Sequence, residues 1–146
     1  MRVRLISVGR QRSDPTAPLV ADYLSRIRRF VPVEEKILKP ERADRIAARM
    51  LREAGRNRLL VALDERGRQL RSGEMADLLQ SWMNRGIESA TFAIGGRDGL
   101  PDRVRESADQ TLALSAMTLP HRLARLLLAE QIYRALCILR GDPYAR

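Results

Sequence analysis

Along this chain the spacing of apolar positions switches repeatedly between two and about 3.6 residues, the mark of strands alternating with helices. Residues 2–8 alternate charged and apolar side chains and stop at Gly9, a first strand. Over residues 15–30, Leu19, Tyr23, Leu24 and Ile27 fall on one helical face, and residues 31–38 read as a second strand. A helix over residues 42–54 turns Ile46, Met50 and Leu51 inward and ends at Gly55, after which residues 58–63 form a third strand. Ser72 is placed to cap the next helix, with Glu74 near its positive end, and Met75, Leu78, Leu79 and Trp82 recur at helical spacing until Gly86. Residues 90–94 supply a fourth strand, 101–108 a short helix and 111–115 a fifth strand; a long helix opens at Pro120.

Strands that each return through a helix predict an α/β fold, a parallel-rich sheet flanked by helices. At 146 residues the chain suits a single domain, 1–146, with a core of its own. In such sheets ligands collect beyond the carboxyl ends of the strands, so the loops starting at Asp64, Gly95 and Ala116 are expected to share one crevice.

Composition narrows the class. The longest apolar runs, such as residues 59–63, are far below the roughly 20 residues of a membrane helix, and the alternating start is unlike a signal peptide. A cytoplasmic protein with no membrane partner is the expectation. Cys137 is the only cysteine and sits in an apolar helical run, which fits a packed side chain. A formal charge of +9 can draw in phosphate-bearing partners, and all but two of the 27 basic residues, Lys36 and Lys39, are arginine. With two Phe, three Tyr and one Trp, stacking surfaces are few, so bound RNA is expected to be held by its backbone and one deep pocket.

Candidate chemistry gathers near the end of the fourth strand. Gly95 and Gly96 allow either close ligand approach or a tight turn, and Gly99 beside Asp98 suits a turn. Arg97 stands where G-x-G-x-x-G needs its second glycine, so the dinucleotide fingerprint is absent. The segment Ser115-Ala116-Met117-Thr118-Leu119 offers small residues and two hydroxyls that could clasp a flat base, with Pro120 in a favourable position at the helix start. His121, the sole histidine, reads first as a structural hydrogen-bonding residue and only second as a catalyst. One histidine supports no triad argument, and no metal-ligand spacing is present, so no metal is expected. Chemistry carried by a cofactor and oriented by the protein is left, and methyl transfer fits it. The last helix carries Leu123, Leu126, Leu127, Ile132, Tyr133, Leu136 and Leu139, too many for one surface stripe, which predicts burial in the core and against a second subunit.

The runs Ile94-Gly95-Gly96-Arg97-Asp98-Gly99-Leu100, Leu112 to His121 and Glu130-Gln131-Ile132-Tyr133-Arg134-Ala135 together resemble the ribosomal RNA large subunit methyltransferase H family of the SPOUT superfamily. Upstream, Leu63-Asp64-Glu65-Arg66-Gly67 and the opening strand with Gly9 extend the resemblance over nearly the whole chain. It implies S-adenosylmethionine-dependent methylation of N3 of a pseudouridine in 23S ribosomal RNA, presented on the assembled ribosome. It also implies a C-terminal trefoil knot and a homodimer with the active site at the subunit interface, built in part by Glu130, Tyr133 and Arg134.

By matching positions, the resemblance assigns the cofactor to Leu63, Gly95, Leu114, Ser115, Ala116, Met117, Thr118 and Leu119. The family's tail ends in Tyr-His and a basic residue, whereas this chain ends Pro143-Tyr144-Ala145-Arg146. On this reading Arg146 stabilises the developing N3 anion and Tyr144 orients the base, with water as proton acceptor in place of the missing histidine. A ribosome-binding protein that kept the fold and lost catalysis, and a nucleotide-binding enzyme of other chemistry, remain open alternatives.

Overall fold

The computed structural model describes residues 1–10, 13–56 and 58–145. Its elements run β1 (Arg2–Val8), α1 (Ala17–Ile27), β2 (Val33–Leu38), α2 (Ala43–Ala54), β3 (Leu59–Gln69), α3 (Ser72–Asn84), β4 (Ser89–Ile94), α4 (Asp102–Ser107), β5 (Gln110–Ala113) and α5 (His121–Arg140), ending in a single 3-10 turn over Pro143–Ala145. The five strands form one sheet in the order β2-β1-β4-β3-β5, and every pairing is parallel. The expected α/β architecture is therefore the one observed.

Both faces of the sheet are covered, which is why its central strands read as nearly continuous apolar runs. Val3, Leu5, Val61, Ala90 and Phe92 point to the side packed by α1, α3 and α5, where Trp82, Leu128, Ile132 and Leu136 close the larger core. Ile6, Val8, Leu60, Ala62 and Ala93 point to the other side, against Ile46, Ala47 and Met50 of α2 and Val104 of α4.

Local differences from the sequence expectations have physical causes. β3 does not stop at Leu63: it resumes pairing at Arg68 and runs to Gln69, with a register shift between these two residues. Gly67 makes this possible, since a Cβ there would lie 2.7 Å from the carbonyl carbon of Thr111 on β5. Ser72 is not the cap of α3. Arg71 holds that position, its backbone N–H donating to Glu74 at 2.7 Å, while the Ser72 hydroxyl reaches Gln131 of α5 at 2.6 Å. Pro120 occupies the N-cap position of α5, one residue before the helix proper.

Cys137 is fully buried. Among the described residues no helix is long and apolar enough to cross a membrane.

Candidate active site

Parallel strands place their carboxyl ends on one side, and the segments leaving β4 and β5, with residues 63–66 at the irregular stretch inside β3, enclose a cleft of about 720 Å³ there. Of the residues assigned to the cofactor, Leu63, Gly95, Leu114, Ser115, Met117, Thr118 and Leu119 line this cleft. Ala116 belongs to the same loop but is exposed and off the wall.

The loop after β4 is folded back on itself. Gly96 and Gly99 form an antiparallel bridge, and the Gly99 amide donates to the Gly96 carbonyl at 3.0 Å. A Cβ on Gly95 would stand 2.4 Å from both the Gly99 carbonyl carbon and the Leu100 nitrogen, so Gly95 is demanded by the chain's own crossing. The tight turn, one of the two roles open from sequence, is present here, and Gly95 also borders the cleft. The following loop is pinned as well: Ser115 accepts the Met117 amide at 2.9 Å, and the Thr118 hydroxyl donates to Glu65.

An ionic cluster, given no role by the sequence reading, forms one wall. Arg66 grips Asp64 through Nε at 2.9 Å and Nη2 at 3.0 Å, and Arg105 of α4 reaches the same carboxylate at 3.2 Å while also pairing with Asp102. The hydrogen bonds from Arg66 hold the Asp64 carboxyl below the usual carboxylate range, against the opposing effect of burial. The i, i+2 spacing of Asp64 and Arg66 was visible in the chain; the arrival of Arg105 from 41 residues away was not.

Tyr144 does not line the cleft. Its hydroxyl donates to Glu130 at 3.0 Å and lies 3.2 Å from the Tyr23 hydroxyl, while its ring packs 4.6 Å from that of Tyr133 and beneath the Arg134 guanidinium. Burial, then the bonds to Tyr23 and Glu130, push its phenol upward from the ordinary tyrosine range, so it is a neutral donor at physiological pH. Glu130 is six residues beyond Ala124, the last α5 residue on the cleft wall, about 9 Å further along the axis. Tyr133, expected at an interface, is instead buried in its own subunit among Tyr23, Phe30 and Tyr144. Arg146 lies outside the described residues. His121 borders the cleft, but its side chain makes no hydrogen bond among the described residues, contrary to the structural role expected of it.

Comparison with known proteins bears on this geometry. A family model described as "Predicted SPOUT methyltransferase" matches residues 1–145. The chain is 43% identical over 152 residues to a ribosomal RNA large subunit methyltransferase H of Anaeromyxobacter sp. strain Fw109-5, covering 99% of each chain. It is 44% identical over 159 residues to the protein of that name from Cereibacter sphaeroides strain KD131, covering 100% of this chain and 99% of that one. A crystal structure of a probable methyltransferase from Bordetella pertussis Tohama I shares the fold at a TM-score of 0.56 and 15% identity, over 92% of this chain and 96% of the other.

Proposed function

The chain belongs to the SPOUT methyltransferase family, and on that premise we propose that it uses S-adenosylmethionine to methylate N3 of a pseudouridine in 23S ribosomal RNA, on the assembled ribosome in the cytoplasm. The observation that carries this reading is the convergence of seven of the eight residues assigned to the cofactor on one cleft at the strand ends.

The cleft suits that cofactor chemically. Leu63, Ile94, Leu114 and Leu119 offer apolar surface for a flat purine, and the loop backbones at Gly95–Gly99 and Leu114–Leu119 offer amides and carbonyls for its edge. Glu65 and Asp98, also on the wall, supply negative charge for a ligand bearing an amine and a sulfonium. When bound, S-adenosylmethionine supplies an electrophilic methyl group. The protein's part is to orient it, exclude water and accommodate the N3 anion left when the imide proton departs to water.

The reading includes a homodimer, and the surface of α5 supports it. Leu123, Leu127, Arg134 and Ile138 fall within about 60° of one another at 100° per residue, and the three apolar ones are 44%, 42% and 37% exposed. Leu19 of the adjoining α1 is 53% exposed. Glu130 lies on the same stripe, and Tyr144 is bonded to it, so the tail is held beside the face a second subunit would cover. In this arrangement Tyr144 and Arg146 serve the partner's cleft, since Tyr144 is remote from the cleft of its own subunit. Arg97 on the cleft wall is exposed, as are Lys39, Arg42, Arg45 and Arg103 in the segments that follow β2 and β4, and these cations are assigned to RNA phosphates.

The reading is tested by transferring a labelled methyl group from S-adenosylmethionine to ribosomes, free 23S RNA and the free nucleoside. Transfer to ribosomes above the other two is expected. Ribosome binding without transfer would make the protein a binding module of this fold.

A further inference from the structure

A second chamber of about 250 Å³ lies beside the cofactor cleft, over the ends of β1 and β2, lined in part by Ser7, Gly9, Ala17, Ile37 and Arg125. His121 lies on the walls of both cavities, so the two are contiguous at its imidazole. We infer that this second chamber receives the base of the target nucleotide, with Ser7 and His121 hydrogen-bonding its polar edge. The inference rests on the methyl-transfer reading and adds a seat for the acceptor.

Three features define the occupant. First, the buried and part-buried charges of the chamber, Arg125, Asp14 and Glu35, are spent on one another, while Arg10 and Arg122 also stand on its lining. Arg125, 8% exposed, binds Glu35 of β2 at 2.7 Å and Asp14 at 3.2 Å, and Asp14 also accepts the Thr16 amide at 2.9 Å and hydroxyl at 2.6 Å. An anion seated on Arg125 would have to break this network.

Second, the neutral polar groups are not satisfied. The Ser7 side chain, on a residue only 4% exposed, and the His121 imidazole have no hydrogen-bond partner among the described residues. The Ser7 hydroxyl is open to the chamber, so a ligand that displaces solvent there must supply a hydrogen bond or leave the group unpaired at about 1–3 kcal/mol. Third, Val8, Ala17 and Ile37 give apolar walls for a flat ring, and the volume, below the roughly 300 Å³ at which drug-sized pockets begin, admits one small base and little more. A neutral pyrimidine, with a carbonyl on either side of its imide N–H, meets all three requirements.

Gly9 keeps the space open. A Cβ there would lie 3.6 Å from His121 Nε2 and 4.0 Å from Ile37 Cγ2, ordinary contacts that the fold tolerates but directed into the chamber. Gly9→Val therefore fills the seat, and Ser7→Ala removes one hydrogen bond from it.

The test has two readouts. With wild-type protein saturated by S-adenosylmethionine, uridine 5′-monophosphate is titrated while the imidazole proton resonances of the sole histidine are followed; a saturable shift is expected in wild type and none in Gly9→Val. Kinetics on ribosomes should show methyl transfer reduced about 100-fold by Gly9→Val and about 10-fold by Ser7→Ala, with cofactor affinity within about 2-fold of wild type. No histidine shift in wild type, an equal shift with inorganic phosphate, or unimpaired transfer by Gly9→Val would each overturn the inference. Failure of the wild type to bind S-adenosylmethionine would instead overturn the functional reading beneath it. The nucleotide titration, repeated without cofactor, would still decide whether a base enters the chamber.

Discussion

Replacing Gly95 by alanine tests the construction of the cleft at its tightest point. The added Cβ would sit 2.4 Å from two backbone atoms, the Gly99 carbonyl carbon and the Leu100 nitrogen, and 2.8 Å from the Gly99 oxygen. Ordinary contact begins near 3.4 Å, so the crossing must open by about 1 Å. Backbone atoms on both sides leave no flexible side chain to yield. Overpacking of this kind costs about 1–3 kcal/mol. At roughly 2–4 °C per kcal/mol for a chain of this size, thermal denaturation should show Tm lower by roughly 2–12 °C. The displaced segment is a wall of the cleft, so calorimetric titration should also show S-adenosylmethionine binding weakened about tenfold or more. Gly73→Ala is the control. A Cβ there meets nothing within 4 Å and the site is helical, so the variant should gain about 0.5–1 kcal/mol and bind cofactor normally. Unchanged Tm and cofactor affinity in Gly95→Ala would refute the claim that this crossing shapes the site.

Arg125→Met leaves Asp14 and Glu35 facing a lost cation in a part-buried setting and should cost about 2–4 kcal/mol in urea denaturation, whereas a merely exposed pair would cost under about 1. Three carboxyls sit below their ordinary range in the folded protein: Asp14, where burial is outweighed by the Thr16 hydrogen bonds and nearby arginines, Glu53 through Lys36, and Asp64 through Arg66. Their contribution is present above the unfolded carboxyl range and is lost as pH falls through the lowered folded values, so urea midpoints should be flat from neutral pH to about 5 and fall below about pH 4. Arg45→Glu with Arg103→Glu should raise KM for ribosomes about tenfold or more and flatten its salt dependence, with calorimetric cofactor affinity unchanged. Ala145→His restores the tail residue of the resembled family and should leave turnover equal or higher; a large loss would contradict water as proton acceptor.

The order of elements was legible because each strand and helix is amphipathic or apolar in its own period: Val3, Leu5 and Ile6 already mark β1, and Met75, Leu79 and Trp82 mark the inward face of α3. What periodicity could not carry was contact between distant backbones. The extension of β3 depends on Gly67 passing Thr111, and the role of Gly95 depends on Gly99 returning to meet it. Part of the apolar excess on α5 is taken up by the core, where Leu128, Ile132 and Leu136 are buried, while Leu123 and Leu127 stay exposed. Tyr133, which the resemblance gave to the interface, is buried where α1 brings Tyr23 and Phe30 against it, a contact that periodicity along α5 does not carry. In the site, the loop residues carried recognisable sequence, but the chamber over β1 is assembled from β1, β2, α1 and α5, and of its lining Gly9 and His121 stood out in the chain.

The central claim is that this cleft directs a methyl group to one ribosomal base. It is tested most directly by incubating the purified protein and S-adenosylmethionine with ribosomes lacking the modification, digesting the 23S RNA and analysing its nucleosides by mass spectrometry. The account predicts 3-methylpseudouridine appearing with time and enzyme concentration; its absence under conditions where the protein binds both cofactor and ribosome would contradict it.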